Sequence, residues 1–189
     1  MKTALQVLAP WISVLVFWVG FQNAWAALLG YHVQILCWHP HEIRRAWHRP
    51  TPCPSWVWIL LLTAPVMILL LPAFLRIPIT DWLQAHGLTL LGFTFMIPWF
   101  GIVHPILEQI HWTPLRNRTP LAHPLFAGYH LLVLHELLTQ PGLFLSFAVL
   151  CTASIFWHHI PRPTAIRSHQ LADTGIALAG LWFLLQSQS

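Results

Sequence analysis

Charge is what this sequence has least of. Only 7% of its 189 residues are charged, against about 25% in a soluble domain, which is too little to coat a water-facing surface. Acids are scarcest: Glu42, Asp81, Glu108, Glu136 and Asp173 are all there are. Cysteine is rarer still, and Cys37, Cys53 and Cys151 form neither a C-x-x-C pair nor a framework spacing, so free thiols are expected. Internal repeats and low-complexity tracts are missing as well. The net charge of +4 falls in connecting loops, not on one patch, and so gives no case for a nucleic-acid partner.

What is present is apolar. Hydrophobic residues make up 57% of the chain, and several runs approach or exceed the roughly 18–20 residues that cross a hydrocarbon core. Twelve tryptophans suit an interfacial belt. The expected fold is all-α: a polytopic transmembrane helix bundle of about six spans with short loops. Residues 1–189 form a single membrane domain, whose partner is the lipid bilayer.

The first span covers residues 4–29. A signal peptide is the competing reading, with Lys2 before an apolar core and Ala24-Trp25-Ala26 as a small-residue cleavage site. Pro10 and the length of the run favour a retained helix. Residues 30–54 read as a polar, basic loop carrying His32, His39, His41 and His48, with a short interfacial helix near 42–47. Further spans fall near 55–75, from 82 or 88 through Glu108, then 123–138, 143–158 and 165–185. Residues 113–119 and 159–163 are loops. Seven arginines (44, 45, 49, 116, 118, 162, 167) then lie on one face against Lys2 and Arg76 on the other, which puts the first face in the cytoplasm by the positive-inside rule.

Three acids, Glu108, Glu136 and Asp173, fall inside these spans. An ionisable side chain at bilayer depth costs at least about 2.5–3.5 kcal/mol and faces a protein or water-filled interior. His169 and Asp173 are four apart and share a helix face. Glu108, His130 and His169 fall within roughly 10 Å of each other in depth, at 1.5 Å rise per residue. A Glu108–His130 pair reads as a general base for water, and a His169–Asp173 pair as a donor to a developing oxyanion. His135-Glu136 is expected to pack against His158 or His159.

Three segments carry a resemblance: Glu108-Gln109-Ile110-His111-Trp112-Thr113, then Phe126-x-x-x-His130, then His169-x-x-x-Asp173. Together they look like the motif set of the CAAX-protease-and-bacteriocin-processing family, glutamic-type intramembrane endopeptidases related to the type II CAAX prenyl endopeptidase. That family carries Glu-Glu-x-x-x-Arg, Phe-x-x-x-His and His-x-x-x-Asn/Asp in this order. The resemblance covers residues 101–179, within a motif-bearing core of about 88–186. It implies hydrolysis of a peptide or lipidated peptide in a bacterial-type plasma membrane, near its cytoplasmic side and without a cofactor. By similarity Glu108 and His130 activate water, His169 and Asp173 form the oxyanion site, and Gln109, His111 and Phe126 support them. The chain departs from the pattern at Gln109, where the family has a second Glu, and at Thr113, where it has Arg. These departures keep a second reading open, a catalytically impaired scaffold or immunity-type protein. Thirteen histidines keep open a third, metal handling, with His104, Glu108, His111 and His130 as the ligand set if a metal is present.

Overall fold

The computed structural model describes residues 2–47 and 54–187; His48, Arg49 and Cys53 lie outside them. Nine helices and no strand occur among the described residues: α1 Thr3–Gly20, α2 Ala24–Trp38, α3 Pro40–Trp47, α4 Ser55–Phe74, α5 Ile79–Ala85, α6 Leu90–Arg116, α7 Ala122–Leu134, α8 Gln140–His159 and α9 Arg162–Gln186. The all-α expectation is met. Four helices, α1, α4, α6 and α8, are long and apolar enough to cross a membrane. Their outer faces carry large apolar side chains, such as Leu69 and Phe144, each 76% exposed, the mark of a surface made for lipid. This is an integral membrane protein. Of the other two expected spans, α7 is apolar but has only 13 residues, and α9, 25 residues long, has a polar first half.

Several expected boundaries move. The first span is not continuous over 4–29: it breaks at Gln22, whose φ of 48° ends the helix, and Asn23 caps α2 by accepting from the Ala26 amide at 2.8 Å. Residues 30–38, expected in a polar loop, continue α2, because Tyr31, His32 and Ile35 bury one face of it against α6. The third span runs on to Arg116 instead of ending at 113. Pro114 removes only its own donor, and the last turns are held from outside by Trp112, whose indole donates to the Tyr31 hydroxyl at 2.9 Å, and by Arg116. Arg116 is therefore buried, not a loop cation; of the other six, Arg44 and Arg45 lie in α3, Arg162 and Arg167 in α9 and Arg118 in a loop, and Arg49 lies outside the described residues.

At the other end, α7 stops at Leu134, and Glu136 lies past the helix, half exposed. Here the chain pairs with the end of α4: Arg76 N–H donates to the Leu137 carbonyl at 2.8 Å and Thr139 N–H to the Phe74 carbonyl at 2.8 Å. Glu136 faces His86 at 3.7 Å and not the expected His158 or His159; His158 lies edge-on to His123 instead.

The inner helix is α9, which packs along α4 and α6. Small residues make this approach possible. Thr63 Oγ1 on α4 donates to the Ala172 carbonyl at 3.1 Å, and Gly101 on α6 abuts Thr174, where an added Cβ would stand 3.2 Å from the Thr174 Cα. Gly101→Leu is expected to push α6 off α9 and destabilise the bundle by about 1–3 kcal/mol. Thermal unfolding in detergent reads it against Gly20→Ala, whose methyl meets only the Leu15 carbonyl at 3.4 Å.

Candidate functional site

The sequence from Pro98 to Pro105 cannot make a regular helix, since each proline lacks the donor its turn requires. The chain answers with a π-helical turn over Trp99–Val103, a device often found beside functional groups. That turn sets the azimuth of the next segment, so that His104 and Glu108, one helical turn apart, face α9. Across from them α9 presents His169 and Asp173, also one turn apart.

Glu108 is fully buried, with neither oxygen accepting a hydrogen bond. Its Oε2 lies 3.3 Å from His169 Nε2 and 3.7 Å from His104 Nε2. The same His169 nitrogen is 3.3 Å from Asp173 Oδ2. One imidazole thus stands between two carboxylates from two helices. The His169 ring is clamped by the indole of Trp157, stacked at 4.1 Å, which donates its own N–H to Ser168 Oγ at 2.8 Å.

The proton position on His169 follows from its neighbours. Arg116 can only donate, and its Nη1 gives a 2.8 Å hydrogen bond to Gln109 Oε1. Gln109 must then offer its amide group to His169 Nδ1, 3.2 Å away. That nitrogen accepts, so neutral His169 carries its proton on Nε2, pointing at Glu108 and Asp173. Arg116 also donates from Nε to Ser154 Oγ at 2.9 Å and lies over the Phe126 ring at 5.1 Å. It is the buried cation within electrostatic reach of Glu108.

Of the residues expected from sequence, Glu108, Gln109, His169 and Asp173 come together. His130 does not join Glu108. Its Nδ1–H donates to the Phe126 carbonyl one turn back at 2.8 Å, and its ring stacks on Tyr129 at 4.0 Å, so the side chain lies along its own helix. Phe126, fully buried, sits between, touching both the His130 and His169 rings. His111 also turns away, donating from Nε2 to the Gln6 carbonyl of α1 at 2.8 Å. The conditional ligand set of His104, Glu108, His111 and His130 therefore does not converge, and among the described residues no group of three or more such side chains is placed to hold a metal ion.

Sequence reading missed Arg116, Trp157 and His32. Arg116 stands seven residues after Gln109, two turns along the same face, but residues 113–119 read as a loop. Histidine 32 was assigned to a solvated loop, whereas it is 2% exposed and bonded to His104. No family model, curated protein or solved structure matches this chain.

Proposed function

We propose that this protein is a membrane-embedded peptide hydrolase of the glutamic type, acting on a peptide or lipidated peptide held in the bilayer. The observation that carries the reading is the 3.3 Å approach of His169 Nε2 on α9 to the buried Glu108 carboxylate on α6. Glu108 is the base. It takes a proton from water as the water oxygen bonds to the peptide carbonyl carbon, and returns that proton to the amide nitrogen as the C–N bond breaks. The Nε2–H of His169 donates to the oxyanion that forms between those steps. Asp173 holds the ring in place. His130, whose Nε2 is left as its acceptor nitrogen, is assigned a place at the substrate side of Phe126 and no direct pairing with Glu108.

The likeness to CAAX-protease-type motifs accords with this assignment. Arg116, reaching back to Gln109, supplies the guanidinium that Thr113 leaves out. The cationic residues Arg118, Arg162 and Arg167, with Arg44, Arg45 and Arg49 on the same expected face, favour the cytoplasmic side of a bacterial-type plasma membrane for the site. The test is cleavage of quenched membrane-inserted peptides by the purified protein in liposomes, with and without a chelator. Chelator-insensitive cleavage is expected, and its absence across a peptide library overturns the reading. Asp173→Asn is expected to keep at least partial turnover, because Asn can still accept from His169.

The complete burial of Glu108 favours a second reading, in which the cluster is a polar clasp joining α6 to α9 in a non-catalytic scaffold. In that case Glu108→Gln lowers the unfolding temperature and there is no turnover to lose.

A further inference from the structure

A second chain of hydrogen bonds reaches Glu108 from the N-terminal helices. Trp99 Nε1 lies 2.9 Å from His32 Nδ1, and His32 Nε2 lies 2.9 Å from His104 Nδ1. An indole N–H can only donate, so His32 Nδ1 accepts and the ring must carry its proton on Nε2. That proton is given to His104 Nδ1, which accepts in turn, and His104 is left with its proton on Nε2. This last N–H faces Glu108 Oε2 across 3.7 Å, a length at which the contact is electrostatic and not a hydrogen bond.

We infer that Trp99 and His32 are positioning residues for Glu108, a donor-only indole at one end of a two-histidine wire fixing which nitrogen of His104 bears the proton aimed at the carboxylate. The wire mirrors the one through Gln109. There a donor-only guanidinium sets a carboxamide, and the carboxamide sets His169. Both wires begin at a side chain that cannot accept, and both end with an N–H turned toward the same Glu108 oxygen. His32 occupies the place that Gln109 has in the other arm: it accepts on one side and donates on the other. A second proton on either His32 or His104 would break a link of the wire. None of the three resembling segments includes Trp99, His32 or His104, and His32 comes from α2, far from them in sequence.

For the role assigned to Glu108 this inference rests on the hydrolase reading, but the proton positions do not. The experiment is ¹⁵N NMR of histidine-labelled full-length protein in lipid nanodiscs, alongside peptide cleavage. In the wild type, His32 and His104 are expected to show imine-type Nδ1 and amine-type Nε2 signals. His32→Gln keeps the polarity of the wire, so His104 retains that pattern and turnover stays near the wild-type rate. Trp99→Phe and His32→Leu remove the anchor or the link. They allow the His104 proton to move to Nδ1, and turnover falls about tenfold, the size of one oriented hydrogen bond. Should His32→Leu fail to fold, the wild-type spectrum and Trp99→Phe decide. An amine-type Nδ1 on His104 in the wild type, or a spectrum unmoved by Trp99→Phe, overturns the inference. The expected spectra without any peptide cleavage leave the wire standing and remove the hydrolase reading instead.

Discussion

Replacing Glu108 by Gln is expected to lower peptide cleavage by about 10²–10⁴-fold, the range for loss of a positioned general base. The substitution keeps the shape of the side chain and changes little else: the new amide oxygen can still face the His104 and His169 N–H groups at 3.7 and 3.3 Å. What it removes is the capacity to take a proton from water. The unfolding temperature of Glu108→Gln should therefore stay close to the wild type, and Asp81→Asn, an exposed acid on α5, serves as the unaffected control. Retained turnover in Glu108→Gln together with loss in Asp173→Asn would reverse the two roles and sink the assignment.

The largest effect on stability is expected at Arg116. Its guanidinium makes charge-assisted hydrogen bonds to Gln109 and Ser154 at 2.8 and 2.9 Å, and covers the Phe126 and Trp157 rings at 5.1 and 5.8 Å. Hydrogen bonds to a charged group contribute roughly 1.5–3 kcal/mol each, so Arg116→Leu should cost about 3 kcal/mol or more. It also leaves buried acceptors on Gln109 and Ser154. Thermal unfolding in detergent micelles measures this directly. Arg116→Lys, which keeps the charge but not the planar fork, should fall between the two. If Arg116→Leu unfolds at the wild-type temperature, the guanidinium holds nothing together. There is a further consequence for chemistry. Without Arg116, Gln109 is free to turn its amide over, and the Nε2 proton of His169 is no longer fixed.

Much of the fold was legible because membrane helices announce themselves. Apolar runs bounded by prolines gave α4 to within a residue, while α8 begins at Gln140 and not at 143, with Pro141 and Gly142 in its first turn and not in the loop before it. The errors have a common source. Residues 113–119 read as a loop, where α6 runs on through Pro114 to Arg116, and residues 30–38 as a polar loop, where α2 continues. In both cases the deciding contacts come from another helix: Tyr31 to Trp112, Ser154 to Arg116, His104 to His32. Local propensity contains no trace of such partners.

By itself the sequence determined that this is an all-helical membrane protein, and that Glu108, His169 and Asp173 are too expensive in a bilayer to face lipid. Spacing sufficed for that, since residues four apart on a helix must share a face. Only the tertiary structure decided the company these groups keep. It set His104 and not His130 beside Glu108, turned His111 toward α1, and drew Arg116 and His32 inward. The reason is geometric: a side chain's direction across a helix interface depends on the azimuth of both helices, and in α6 that azimuth is set by the irregular turn between Pro98 and Pro105.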